Sequence, residues 1–258
     1  MSHEIAQVKA DQHLTSTAAK GHTVGLPELL GIVIARARMA SPKLIAGVSG
    51  VAAAEAPERT LAAGRVLQSA FAGNFAEQLK SEWADFVEKG RIKPDYTQST
   101  AHAENTAELL ELLESGPADR HTFEFFRKLF MVASAEAVDS RESMLPREYL
   151  RIARTLSGGE IVLLVATNRS AAGGVRNQVI SVRAWLDPMQ KESGLVHEEL
   201  IVQFERALIL KGLLTKRRNA DESAAVFGPH GRLTDLGAAM CKYFTTYDAV
   251  AMAPTSNG

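Results

Sequence analysis

A chain of 258 residues, 46% hydrophobic and 23% charged, is long enough for one large or two ordinary domains around a real core. Its formal net charge of -1 excludes a global basic field drawing the whole molecule to nucleic acid, although residues 1–140 hold 14 Lys/Arg against 18 Asp/Glu and residues 141–258 hold 15 against 12. The single cysteine, Cys241, excludes a disulfide framework and a cysteine-based zinc site within one chain, and it fits a reducing cytoplasm.

Residues 1–24 carry Gly, Ser, Thr and His with little periodicity and are expected to form a flexible N-terminus. No apolar run occurs among the first residues, so no secretory leader is expected. Pro27, Pro42 and Pro57 each stand where a first helical turn would begin, a place that tolerates proline because its missing N–H has no intrahelical partner. Ser41 before Pro42 suits an N-cap, and the spacing predicts helices at about 27–39, 42–54 and 57–89. The apolar stretch Leu26–Ala54 is broken by Glu28, Arg36, Arg38, Ser41, Pro42 and Lys43. A spanning helix needs about 20 uninterrupted apolar residues, so packed helices are expected over 26–54 and a membrane-acting hairpin is the alternative. In the third helix Leu67, Phe71, Phe75, Leu79 and Trp83 recur every four residues. Steps of four drift by about 40° each on a helix, so this stripe meets more than one neighbour along its length.

Asn105 with Glu108 resembles a capping box opening a short leucine-rich helix, which Gly116-Pro117 stops. Thr122 to Val138 is apolar on nearly every side and is expected at the centre of the N-terminal core. Pro146 starts a further helix through Ala153. Ser157-Gly-Gly-Glu160 is the cleanest capping box in the chain, and Ile161 to Thr167 follows as a buried helix. Asn168 to Asn177 is a polar loop, and Val179 to Trp185 fits a strand or a short helix.

Few motifs carry chemistry. Leu156-Ser-Gly-Gly-Glu160 matches the signature pentapeptide of ABC-type ATPases, which sets amides at a helix N-terminus against a phosphate. The phosphate loop such an enzyme needs contains Gly-Lys, and no Gly-Lys pair occurs in this chain, so the helix cap is the better explanation. The histidines, His3, His13, His22, His102, His121, His197 and His230, include no i, i+4 pair of the kind that binds metal on a helix. Cys241 lies in an amphipathic pattern with Leu236, Met240 and Phe244, the setting of a buried inert thiol. No cofactor, no metal and no catalytic residue is expected.

The tail is the informative part. Val196 to Leu210 is an amphipathic helix, Leu213 to Phe227 is expected to form two short strands around the polar turn Asn219–Ser223, and Arg232 to Tyr247 closes the chain as a helix. That order is the pattern of a winged helix, whose wing cations touch phosphates when it binds DNA. Lys211, Lys216, Arg217 and Arg218 are the candidate nucleic-acid contacts. Against them, the helix itself carries Glu198, Glu199 and Glu205, which oppose a polyanion.

From about Thr122 onward, over residues ~122–247, the chain resembles the bacterial Abi-alpha, or abortive-infection alpha, proteins. The resemblance rests on Tyr149-Leu-Arg-Ile-Ala-Arg-Thr-Leu-Ser-Gly-Gly-Glu160 running into Ile161-Val-Leu-Leu164, on Leu208-Ile-Leu-Lys-Gly-Leu-Leu214 and on Arg232-Leu-Thr-Asp-Leu-Gly237. It implies a helical protein linked to phage defence and brings no catalytic residues with it.

These readings together predict a mainly α protein: a helical bundle over 25–140, a winged-helix-like module with a small β-hairpin over 141–250, and a disordered tail over 251–258. The expected role is a non-enzymatic interaction protein of a bacterial cytoplasm, in phage defence. A winged-helix DNA-binding regulator and a membrane-acting effector using 26–54 are the alternatives. The expected partner is another protein or duplex DNA met through the C-terminal module, with a homo-oligomer also compatible and a membrane disfavoured.

Overall fold

The computed structural model describes residues 25–48, 57–92, 94–115, 119–135, 144–171, 179–216, 226–227 and 229–252. Over these residues the protein is mainly helical. The expected flexible N-terminus at 1–24 and the end of the tail at 253–258 lie outside them.

The first helix, α1, runs Leu26–Val48. Leu26, Leu30, Ile34 and Ala37 line its buried side at helical spacing. Two helices meeting at Pro42 were expected; one helix passes through it instead. A proline inside a helix loses the bond to the carbonyl four residues back and crowds that carbonyl, while the alanine-, arginine- and leucine-rich flanks favour helix on either side. Helix α2, Pro57–Glu88, begins at its proline as expected. Of its stripe, Leu79 and Trp83 are buried and Phe75 is half-buried. Gly73 lets α2 approach α1, since a Cβ there would lie 2.3 Å from that of Ala37. One turn on, Arg38 and Glu77 pair at 2.8 Å.

Contacts divide the chain into two compact units, Met1–Ala84 and Asp85–Gly258. The break therefore falls well before the boundary expected near residue 140. The reason is α4, Arg120–Ala135, in which all of Thr122–Ser134 except Glu124 and Lys128 is buried. It packs against α5 (Met144–Arg154), α6 (Gly158–Ala171) and the closing helix α10 (Asp235–Met252). Phe125 and Phe244 meet with ring centroids 5.1 Å apart, and the Arg127 guanidinium donates to the Tyr247 hydroxyl at 3.1 Å. The central apolar helix and the tail thus share one core.

Helix α3, Thr100–Ser115, starts earlier than Asn105. Ser99 is its cap, accepting the His102 N–H at 3.1 Å, so the expected Asn105–Glu108 box is not used. Asn105 lies inside the helix and donates to the Tyr96 hydroxyl at 3.1 Å, next to the 3-10 turn Tyr96–Gln98. Glu108 turns instead toward Arg154 of α5, 3.6 Å away.

After α6 the chain forms β1 (Val179–Ile180), α7 (Val182–Ser193), α8 (Glu198–Leu210), β2 (Val226–Phe227), the short α9 (Pro229–Arg232) and α10. The region Val179–Trp185 is therefore both strand and helix, with Ser181 capping α7 through the Ala184 N–H at 3.1 Å. The expected hairpin within Leu213–Phe227 is corrected in its pairing. Val226–Phe227 pairs antiparallel with Val179–Ile180, and Leu214 bridges to Leu233. The expected wing tip at 219–223 lies outside the described residues.

Candidate functional site

The Ser157–Glu160 box forms as the sequence predicts. The Ser157 N–H donates to a Glu160 carboxylate oxygen at 2.7 Å, and the Glu160 N–H approaches the Ser157 hydroxyl at 3.4 Å. Its two glycines are explained by their neighbours. The Gly158 N–H donates to Asp119 at 2.7 Å, and a Cβ on Gly158 would lie 2.3 Å from both Asp119 carboxylate oxygens. A Cβ on Gly159 would lie 2.2 Å from the Phe204 ring of α8. Asp119 also caps α4 through the Thr122 N–H at 3.1 Å. One carboxylate therefore serves two helix N-termini, where the partial positive charge of the orphan amides favours it. The anion that this pentapeptide gathers is the protein's own.

Glu160 has a second partner that changes the reading of Lys211. The Lys211 ammonium lies 2.9 Å and 2.7 Å from the two Glu160 oxygens and donates to the Thr155 carbonyl at 2.8 Å. It thereby ends α5 and neutralises the cap of α6, tying both to the end of α8. A lysine so held has a structural role beside its place among the candidate nucleic-acid contacts. Lys216 is exposed. Arg217 and Arg218 lie outside the described residues.

The chain after α8 is fastened to the start of α10. Gly212, with φ of 72°, stops α8 as expected. The Thr215 N–H donates to the Arg232 carbonyl at 2.7 Å, and the Thr234 N–H to the Leu213 carbonyl at 3.2 Å. Thr234 caps α10: its hydroxyl accepts the Gly237 N–H at 3.0 Å and donates to the Gly212 carbonyl at 2.7 Å. Beneath this crossing Arg232, wholly buried, pairs with Glu205 of α8, which is 1% exposed. The guanidinium also donates to the Thr215 carbonyl at 2.9 Å and lies over the Trp185 ring, 5.2 Å from its centroid. Glu205 is thus an internal partner rather than a repulsive surface charge. Sequence reasoning missed this pair, because only the fold brings its members together.

What α8 offers outward is now defined. Ile201, Glu205 and Leu208 face the core. Glu199, Leu200, Gln203, Arg206 and Leu210 are exposed, Leu210 at 87%, and Val196 just before the helix is 79% exposed. Glu198 is paired with Arg183 of α7. A shallow groove runs along this side between Glu199 and Leu210.

Elsewhere burial shifts Cys241, His102 and Tyr96. Cys241 is 1% exposed and burial pushes its thiol up to about 12, as an inert core cysteine requires. Burial holds the His102 imidazole below the usual histidine range. The Tyr96 ring lies edge-on to that of His102 with centroids 5.2 Å apart. Burial raises the Tyr96 phenol above its ordinary value, against the opposing hydrogen bonds of Ser134 and Asn105. Among the described residues no group of three His, Cys, Asp or Glu side chains could hold a metal ion. Among them too, no helix is long and apolar enough to cross a membrane. No family model, curated protein or solved structure matches the chain.

Proposed function

We propose that the chain is a non-enzymatic interaction protein that meets another protein through the outward face of α8. The order α6, β1, α7, α8, β2, α9, α10, with β1 paired to β2, supports a winged-helix-like module in which α8 occupies the place of the recognition helix. The observation that carries the reading is the make-up of that face. A helix entering a DNA groove needs cations toward the phosphates. This one presents Val196, Leu200 and Leu210 with Glu199 and Gln203, and the lysine at its end is spent on Glu160. Exposed leucines and a valine beside single charges suit a protein surface. The similarity of residues ~122–247 to Abi-alpha proteins supplies the setting we propose, phage defence in a bacterial cytoplasm.

Duplex DNA binding is the second reading. It is favoured by Lys216, which stands exposed next to Arg217 and Arg218 in the sequence. Two variants of the full chain separate the readings, Leu210→Glu and a charge reversal of Lys216, Arg217 and Arg218. In cells challenged with phage, Leu210→Glu should abolish protection and the triple reversal should leave it intact. Purified protein should show no saturable duplex binding at about 50 mM salt. Tight binding that weakens steeply with salt, with protection lost only in the triple reversal, would overturn the protein-contact reading.

A further inference from the structure

The closing helix α10 is held by different forces along its length. Its buried residues, Gly237, Met240 and Cys241, all fall in the first half, and from Lys242 to Met252 every residue is half-buried or exposed. The join is marked by Thr245 and Thr246, β-branched residues of low helix propensity. The Thr245 hydroxyl turns back on the Cys241 and Lys242 carbonyls at 3.1 and 3.0 Å, a local bond that weakens and bends a helix. The end beyond it is poorly matched to its own dipole. Asp248 stands near the C-terminal end, and the last turn carries no basic residue. The cations come from α4 instead. The Lys128 ammonium lies 4.8 Å from the Phe244 ring centroid, 4.9 Å from that of Tyr247 and 3.3 Å from the Asp248 carboxylate. One lysine thus grips α10 on both sides of the two threonines. The Arg127 guanidinium sits over the same Tyr247 ring at 5.2 Å, and Phe86, 2% exposed, stacks on that ring at 6.3 Å.

We propose that residues 246–252 form a strap that docks on α4 through the charge of Lys128 and swings away at Thr245–Thr246 when that charge is screened or removed. Docked, the strap receives the cations that its dipole and Asp248 call for, and it closes over Phe86. Undocked, it loses them and frays, so docking and helix formation are coupled. The first half of α10 does not follow. Gly237 is seated against the Leu213 carbonyl, and Met240 and Cys241 lie in the core. The two halves therefore answer differently to salt. The Asp248 side chain is 64% exposed, so its pairing with Lys128 weakens as ionic strength rises, whereas apolar burial is not screened. The strap uses no residue of α8 and stands apart from the reading of that helix as a protein-contact surface.

Native-state hydrogen exchange of the full chain tests this, with the amides of residues 239–243 set against those of 246–250. In the wild type the later set should exchange at least about tenfold faster, through local opening. Lys128→Gln should speed the later set by about a further tenfold and leave the earlier set unchanged. Lys128→Arg keeps a cation over the rings and should stay within about twofold of the wild type. Raising salt from about 50 to about 500 mM should speed the later set alone, by about threefold. Thr245→Ala should slow it, a gain of protection that misfolding cannot produce. Equal exchange of the two sets in the wild type overturns the proposal, as does a later set indifferent to salt. A Lys128→Gln variant whose later set is unchanged, or whose two sets accelerate together, overturns it equally.

Discussion

Replacing Gly237 with alanine isolates the joint between the end of α8 and the start of α10. A Cβ built there would lie 2.3 Å from the Leu213 carbonyl oxygen and 3.1 Å from its carbon. Both are backbone atoms of a residue that is fully buried, so no side chain can swing away. Relief requires α10 and the chain at Leu213 to separate by about 1 Å, since unstrained heavy-atom contacts begin above 3 Å. That movement stretches the Thr234 N–H to Leu213 carbonyl bond, already 3.2 Å, and the Thr234 hydroxyl bond to Gly212 at 2.7 Å. Overpacking costs about 1–3 kcal/mol, and each weakened hydrogen bond costs about 1. The higher helix propensity of alanine returns about 1 kcal/mol. The expected net loss is about 2–4 kcal/mol, read as a fall in urea midpoint at unchanged slope. The matching control is Gly31→Ala in α1, where the nearest outside atom is the Lys80 ammonium at 3.9 Å. That change should be neutral or stabilising by up to about 1 kcal/mol. A Gly237→Ala protein as stable as the wild type would refute the close approach on which this joint depends.

Lys211→Met removes the partner of Glu160, which is 7% exposed, while Lys211 itself is 28% exposed. The loss lies between that of a surface pair and that of a buried one, about 1–3 kcal/mol by urea unfolding, and would show Lys211 to be a structural cation. For the buried pair, Arg232→Met alone should cost about 3–5 kcal/mol because Glu205 is left charged in the core. Adding Glu205→Leu should recover part of that loss, so the double-mutant cycle should give a large coupling energy; simple additivity would count against a direct pair. For His102 the folded pKa lies below the unfolded value of 6.5, so the unfolded chain binds the extra proton. The stability this group protects is complete above pH 6.5 and is lost as pH falls below it, levelling off once the folded imidazole protonates. The slope from one such group cannot exceed about 1.4 kcal/mol per pH unit, and His102→Gln should flatten it. An unchanged slope in that variant would assign the pH dependence to other groups.

What could be read in advance was local. The box at Ser157–Glu160 and the stop at Gly212 formed as expected because donor and acceptor sit within one turn of chain. The burial of α4 and of Cys241 was legible in periodicity alone. Readings failed where a residue had more than one local use. Pro42 suits a helix start but is tolerated inside one, and Asn105 suits a cap although Ser99 stood nearer the true start. The boundary expected near 140 is a different matter. Residues 120–135 carry no mark saying which helices will cover them, and the answer, α10, lies about 120 residues away in sequence.

The pentapeptide at 156–160 shows the same limit in its sharpest form. Glycines at a helix N-terminus expose amides and leave room beside them, and that room suits a phosphate or a side chain equally well. Sequence separates the two only through distant partners. Asp119 lies 39 residues before Gly158, and its carboxylate receives the amide that a phosphate would seek. Because the same carboxylate caps α4, a phosphate arriving at Gly158 would have to displace it and leave the Thr122 amide without its acceptor. Phe204 meanwhile fills the space above Gly159, so that α8 is seated on α6 through the gap the missing Cβ leaves. The glycines that suggest nucleotide chemistry are therefore what brings α8 close enough for Lys211 to reach Glu160.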